Sequence, residues 1–408
     1  MRFFLSFLWI LFAPSFLSAK IQVGVGQTEI TPLVGTPSAG YASREGRGME
    51  GVHDPLLALA LFIDNGSKKV IFCSVDHLGF TYEMVQEIIR KVHRQKGLED
   101  AEIYIAASHT HSGGGAYLNI PFIGELLAGP YHRPTTQFYI NKTVEAILQS
   151  TSHTSAAKVG IGYGHAKKLS YYRAFWAEEE KISPLSDVAI IKITYLDNTP
   201  LAVLFNYPVH PVILGSENLL FSADFVGYAR NHLKSLLGEN VQTLFFNGAQ
   251  GDINPEIFSQ DRFEACERLG KSLAKTVAEI WDQTEVEDQL EVQTQKESYT
   301  FIPQPTPFGL SLPLSSYASE INLVVLNQCH AFITMPGELS SLYDRQLKET
   351  GKALGYRHVS IFGLVNDAHG YIIKPEAWRF QTAESSLSFG GEMYGEEMEQ
   401  RALRLLLH

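Results

Sequence analysis

Cysteine is scarce. The chain has three in 408 residues, Cys73, Cys266 and Cys329, an odd number, each in an apolar setting. Free buried thiols are the expected state, with one bridge and one spare thiol as the alternative, and no cysteine cluster exists for a thiolate zinc site. Basic residues are outnumbered, 33 Lys+Arg against 44 Asp+Glu for a formal net charge of -11. The basic face that a nucleic-acid partner needs is therefore missing, and no nucleic acid is expected. No apolar run reaches the ~20 residues of a membrane-spanning helix. No repeat period or low-complexity linker divides the chain. What is present, 45% hydrophobic and 11% aromatic residues with 19% charged, is the composition of a folded protein with a large core. Collagen-like, transmembrane and histone-like classes are excluded.

The first residues read as separate from the fold. Arg2, an apolar run over 3–12, Pro14 and then Leu17-Ser18-Ala19 form the charged, apolar and small-residue regions of a secretory signal ending at Ala19. A secreted or periplasmic protein follows from this; a buried N-terminal helix is the alternative. Beyond it, strand-like runs alternate with helical ones. Residues 69–75 and 102–107 read as buried strands around a periodic helix at 81–93, a parallel βαβ unit. Further strands are expected at 187–195, 201–207, 241–247, 322–326, 331–335 and 358–364. Phe263, Cys266, Leu269, Leu273, Val277 and Ile280 recur at helical spacing over 261–281. An amphipathic helix is expected at 396–407, and a Pro-rich loop over 302–313. The expected fold is α/β, one large domain over residues 20–408 with a mixed β-sheet and flanking helices.

Three segments at predicted strand ends carry chemistry. The first is Ala107-Ser108-His109-Thr110-His111-Ser112-Gly113-Gly114-Gly115. Histidines at i and i+2 on extended backbone share a face, with Cα atoms roughly 6.5 Å apart. One imidazole can bind a metal while the other reaches the water or substrate beside it; two polar turn residues are the alternative. The second places His210 between prolines in Tyr207-Pro208-Val209-His210-Pro211, where a packed core histidine is the other reading. The third places Glu338 in Met335-Pro336-Gly337-Glu338 at the start of a helix-like run. In isolation Glu338 reads as a first-turn acid opposing the helix dipole. Two histidines and a carboxylate that leave a position open form the donor set of a catalytic zinc site. Asn247-Gly248-Ala249-Gln250-Gly251-Asp252-Ile253-Asn254-Pro255 follows a further strand and reads as a tight turn unless Asp252 or Asn254 faces the same cleft. Gly160-Ile161-Gly162-Tyr163-Gly164 opens no helix and is not a nucleotide loop.

These segments resemble the neutral, non-lysosomal ceramidases. Ser108-His109-Thr110-His111-Ser112-Gly113 resembles their T-H-T-H-S-G. His210-Pro211-Val212 followed by Ser222-Ala223-Asp224-Phe225-Val226-Gly227-Tyr228-Ala229 resembles H-P-V/T … S-x-D-x-x-G-Y-A. Gly251-Asp252-Ile253-Asn254-Pro255 is similar to G-D/N-x-S-P, Pro336-Gly337-Glu338 to P-G-E, and Val23-Gly24-Val25-Gly26 with Gly40-Tyr41-Ala42 fits the opening. The resemblance implies a zinc-dependent amidase fold that hydrolyses the amide of N-acyl-sphingosine, a lipid amide substrate. It implies His109, His210 and Glu338 as zinc ligands, with Tyr371 as the fourth. It sets His111 beside the activated water and Arg173, in Tyr171-Tyr172-Arg173, toward the substrate. Two departures stand out. The family serine is Asn254, which excludes covalent serine chemistry there but leaves an amide that can orient a carbonyl or hold water. A later family tyrosine falls near Ala383. The chain ends at His408, so no immunoglobulin-like C-terminal domain is expected. The function implied is an exported zinc amidohydrolase acting through metal-activated water, with Asn254 as a third catalytic residue. The alternatives are action on another amide or ester, or a metal-stabilised binding protein without turnover.

Overall fold

Strands form where apolar runs leave neither face fit for water. Val70-Ile71-Phe72-Cys73 is buried along its whole length, as a central strand covered on both faces must be. The computed structural model describes residues 20–173 and 186–407; the expected signal at 1–19 lies outside the described residues. The expected mixed α/β fold is observed, and its longer strands divide between two sheets, with three short two-stranded pairings beside them. An eight-stranded sheet runs in the order Gln242–Asn247, Pro200–Tyr207, Asp187–Tyr195, Ser155–His165, Gln22–Glu29, Leu57–Asp64, Lys69–Val75 and Glu102–Ala107. Its two outermost pairs are parallel and its interior is antiparallel. A four-stranded sheet runs Val292–Phe301, Tyr317–Leu326, His330–Thr334, His358–Phe362, with the last pair parallel.

The sheets meet over a layer of phenylalanine rings. Phe72 lies 5.9 Å from Phe246, Phe246 lies 4.8 Å from Phe362, and Phe362 lies 4.9 Å from Phe332. Helices cover the outer faces. Tyr82–His93 and Arg133–Ser152 cover one half of the large sheet, and Phe225–Leu237 with Arg262–Gln283 cover the other. Ser341–Ala353 and Tyr394–Leu407 cover the small sheet. No helix among the described residues is long and apolar enough to cross a membrane.

Local chemistry sets the helix starts. The Thr81 hydroxyl accepts from Met84 N–H, and the Asp261 carboxylate accepts from Phe263 and Glu264 N–H, satisfying amides that would otherwise lack partners. Helix 133–152 is not evident from periodicity because its inner face buries small polar residues, Thr136, Thr143 and Ser150. Gly160-Ile161-Gly162-Tyr163-Gly164 is part of a strand. A Cβ at Gly162 would lie 2.1 Å from Thr284 Oγ1, so glycine there permits close packing of the segment that follows helix 262–283.

The three parallel pairs of the two large sheets direct the chain toward one place. His109 follows strand 102–107, His210 follows 200–207, Gly251–Asn254 follows 242–247, Glu338 follows 330–334 and Tyr371 follows 358–362. Two asparagines join these ends. Buried Asn247 donates from Nδ2 to the carbonyls of Ser108 and Val209, both at 3.1 Å, and its Oδ1 accepts from Val209 and Gly248 N–H. Asn366 Nδ2 donates to Ile103 O at 3.0 Å, and its Oδ1 accepts from Ile105 N–H at 2.9 Å. The loop after the small sheet is thereby attached to the edge of the large one.

Candidate active site

His109, His111, His210, Glu338, Tyr371, Arg173 and Asn254, predicted from separate segments of the chain, lie together. The nearest ring nitrogens of His109, His111 and His210 are all within 4.8 Å of one another. Glu338 Oε2 lies 3.2 Å from His109 Nε2 and 2.8 Å from His210 Nε2. The Tyr371 hydroxyl is 3.5 Å from His210 Nε2, and His111 Nε2 is 3.3 Å from His109 Nε2.

The local backbone differs from expectation at two of these places. His109 and His111 do not lie on extended chain. Strand 102–107 ends at Ala107, and His109 adopts φ 72, a left-handed conformation costing roughly 1–2 kcal/mol for a side chain with a Cβ. It is held there by its N–H donating to His77 O and its Nδ1–H donating to Leu78 O at 2.7 Å. Glu338 is not in a helical first turn either. It forms a short parallel strand, Glu338–Leu339, with Tyr371–Ile372, and the helix begins at Ser341 behind the Ser340 cap. This pairing brings Glu338 and Tyr371 side by side.

Backbone carbonyls fix the imidazole tautomers. A carbonyl only accepts, so His109 Nδ1 carries a proton toward Leu78 O, and His210 Nδ1 carries one toward Ile253 O at 3.2 Å. Burial pushes the His210 ring down to about 4, with Arg173 acting in the same direction. Burial would raise the Glu338 carboxyl, yet the facing His109 and His210 rings hold it well below its ordinary range. With Nδ1–H committed to carbonyls, His109 and His210 both turn Nε2 toward the same Glu338 oxygen, where a proton or a metal ion can be shared. The donor set thus fits a metal ion, with two imidazole nitrogens, one carboxylate oxygen and a nearby phenol.

The surrounding residues are equally constrained. Burial, followed by the neighbouring His109 and His210, holds His111 well below its ordinary pKa. Its ring packs 4.8 Å from Tyr41, and a Cβ on Gly40, at φ +107, would lie 2.4 Å from His111 Nδ1. Arg173 donates from Nε to Glu384 at 2.8 Å and from Nη1 to Asn254 Oδ1 at 3.0 Å. Its Nη2 donates to Gly251 O at 2.8 Å and to the Tyr371 hydroxyl at 2.9 Å. Four of its five N–H groups are used among the described residues, so Arg173 mainly holds Tyr371 and Asn254 in place. Asn254 Nδ2 donates to the Tyr171 hydroxyl at 3.3 Å. Burial, then Glu338, pushes the Tyr371 phenol above its ordinary range.

Sequence reasoning missed Glu384, the carbonyls of Leu78 and Ile253, and Tyr171. Backbone carbonyls carry no residue-type signal, and Glu384 lies 211 residues from Arg173. The site opens into a cleft of about 150 Å³ lined by His109, His111, Glu338 and Tyr371 together with the apolar Leu78, Ile120, Leu127, Leu312 and Phe389. A larger chamber of about 400 Å³ adjoins it across Tyr117, Leu118, Ile120, Leu312 and His369. His369 in this shared wall is fixed by Asp367 at 2.7 Å and by the Tyr394 hydroxyl at 2.5 Å.

The family model described as neutral/alkaline non-lysosomal ceramidase, N-terminal, matches residues 21–297. Glu338 and Tyr371 lie beyond that match. The chain is 24% identical over 225 residues to neutral ceramidase B of Dictyostelium discoideum, covering 52% of this chain and 31% of that protein. It is 24% identical over 228 residues to the neutral ceramidase of Pseudomonas aeruginosa, covering 52% and 33%. The match thus spans about a third of the length of these curated relatives. Among solved structures, neutral ceramidase from Pseudomonas aeruginosa superposes with a TM-score of 0.84 at 16% identity, over 95% of this chain and 74% of that one. A ceramidase complexed with C2 gives 0.83 at 16% identity, over 95% and 75%. At these identities the structural likeness establishes the fold.

Proposed function

The chain belongs to the neutral/alkaline non-lysosomal ceramidase family, and from that premise we propose that it is an exported, zinc-dependent hydrolase of an N-acyl amide of the ceramide class. The observation that best supports this reading is the meeting of His109 and His210 Nε2 on one Glu338 oxygen, 3.2 and 2.8 Å away. His109, His210 and Glu338 would hold the ion, and the Tyr371 hydroxyl would be the fourth donor. Zinc held there supplies Lewis acidity toward an amide carbonyl and a water acidic enough to attack at neutral pH.

The chain's own residues do the rest. A neutral His111 can take a proton at Nε2 and return it to the leaving amine. Arg173 fixes the Tyr371 hydroxyl and the Asn254 amide, and the N–H that has no partner among the described residues would be offered to a substrate oxygen. The apolar wall of Leu78, Ile120, Leu127 and Phe389 excludes water and accommodates an acyl or alkyl chain. Residues 1–19 would direct export. Asn254, at the position of the family serine, supports a second reading, in which the site binds an amide without turnover or acts on a different amide or ester.

The test compares wild type with His109→Ala and Glu338→Gln in zinc content, melting temperature and hydrolysis of an amide and ester panel. Stoichiometric zinc and turnover in wild type, both lost in the variants, is the expected result. Wild-type zinc content and rates in both variants would reject the site. Zinc without turnover on any substrate would favour the binding protein. Turnover of a generic acyl substrate that ceramide fails to inhibit would favour a different substrate.

A further inference from the structure

The cleft is lined in part by two segments almost free of charge. Between His111 and Arg133 the only charged residue is Glu125, and between Glu297 and Glu320 there is none. Within them Phe122 is 75% exposed, Ile302 58%, Phe308 55%, Leu126 42% and Tyr131 40%. The segments adjoin. Ile120 and Leu127 of the first and Leu310 and Leu312 of the second pack on the same buried cluster. Ile120 and Leu312 also line the cleft that contains His109 and Glu338. The exposed residues therefore lie on the same segments that line the cleft, and Tyr131 lines the adjoining chamber.

Folding does not account for this exposure. Phe122 holds φ 63, a left-handed backbone that is unfavourable for a bulky residue, and still leaves its ring in solvent. The second segment is stiffened by Pro303, Pro305, Pro307 and Pro313, whose fixed φ holds the Phe308 turn outward. Exposed apolar area of this kind marks an interaction site. Glu125 is the only carboxylate on these segments, and their exposed polar side chains, Asn119, Gln304 and Ser311 among them, are uncharged, so the surface matches a layer without net charge. The net charge of -11 opposes an anionic surface.

We propose that these segments form a docking surface for an uncharged or zwitterionic lipid layer, into which Phe122 and Phe308 insert while the cleft draws a lipid amide from it. The proposal rests on the reading that the substrate is a lipid amide. Interfacial insertion of aromatic and aliphatic residues scales with the apolar area buried, and losing one inserted ring weakens binding about tenfold.

The test uses the full chain with phosphatidylcholine vesicles, with and without phosphatidylserine, measuring sedimentation with the vesicles. Phe122→Asn, Phe308→Ser and the double variant are compared with wild type; asparagine suits a positive φ, so the first variant relieves strain. Hydrolysis of a water-soluble short-chain N-acyl amide is measured alongside. Binding to phosphatidylcholine that falls about tenfold per ring, weakens further with phosphatidylserine, and leaves soluble-substrate rates unchanged is the expected result. Absence of vesicle binding by wild type, or equal binding by the double variant, would overturn it. So would light scattering showing that wild type self-associates through this face while the double variant is monomeric. Failure of the hydrolase reading is seen separately, as no turnover of the soluble amide by a protein that binds vesicles.

Discussion

Replacing Asn247 with aspartate tests how the strand ends assemble the site. The side chain is fully buried, and both of its acceptor positions and both of its donors are used. Nδ2 donates to Ser108 O and Val209 O, each at 3.1 Å, while Oδ1 accepts from Val209 N–H at 3.2 Å and Gly248 N–H at 2.9 Å. The Asn247→Asp side chain has the same shape but sets a carboxylate oxygen against two carbonyl oxygens. Two buried hydrogen bonds vanish and two buried carbonyls lose their partners, at roughly 1–3 kcal/mol each. The expected loss at pH 7.5 is about 3–5 kcal/mol. The carboxyl in the variant can take a proton and restore one bond, so its folded-state pKa lies above the unfolded value and the deficit narrows as pH falls toward 5. Urea unfolding followed by tryptophan fluorescence, extrapolated to water at both pH values, measures this. Ser108 and Val209 immediately precede His109 and His210, so metal affinity should fall with stability. A loss below about 1 kcal/mol at pH 7.5 would refute the claim that Asn247 organises the site.

Arg173→Lys keeps the charge but cannot span four acceptors from one nitrogen. Glu384, with a side chain 7% exposed, is left without the Nε–H it accepts, so a loss of roughly 3 kcal/mol is expected, with weakened metal binding as Tyr371 loosens. An Arg173→Lys, Glu384→Gln double-mutant cycle by urea unfolding should show coupling above about 1 kcal/mol, and additivity would count against the clamp. Asp252, accepting from Ser340 O–H and from Ser341 N–H at 2.9 Å, is pushed by burial from 3.8 up to about 6, against the pull of those bonds and of Arg173. A raised folded-state pKa contributes stability that is full below 3.8 and lost as pH rises through about 6. Asp252→Asn should therefore flatten the unfolding free energy between about pH 4 and 6, by up to about 2 kcal/mol.

What the sequence makes legible is where strands stop. Buried runs ending at Ala107, Tyr207 and Thr334 mark the places from which His109, His210 and Glu338 extend, and Asp261 marks a helix start by its capping chemistry. The side-chain directions beyond those ends are not legible. They depend on a left-handed turn at His109, a two-residue strand pairing at Glu338, and carbonyls of Leu78 and Ile253, whose positions are set by tertiary packing and not by residue type. Helix 133–152 escapes for a related reason. It packs on glycines of strand 22–29, where a Cβ at Gly26 would lie 2.0 Å from Ala146 O, so its inner face interleaves Thr143, Ala146 and Ser150 with Tyr139, Ile140 and Ile147 and shows no continuous apolar stripe.

The origin of the donors also explains why so few local signals exist. His109 and His210 come from the parallel pairs at opposite edges of the eight-stranded sheet, while Glu338 and Tyr371 come from the four-stranded sheet. The sheets are held together by the ring layer of Phe72, Phe246, Phe332 and Phe362 and by Asn366 joined to strand 102–107. A shift of either sheet by even about 1 Å would separate Glu338 Oε2 from one of its two imidazoles, now 2.8 and 3.2 Å away. An ion held there binds only the docked arrangement, so its binding free energy adds to the cohesion of the sheets by mass action. The left-handed His109 and the convergence of two imidazoles on one carboxylate oxygen are arrangements that the core must sustain. They persist because the packed ring layer and the asparagine bridges over-determine the positions of the strand ends.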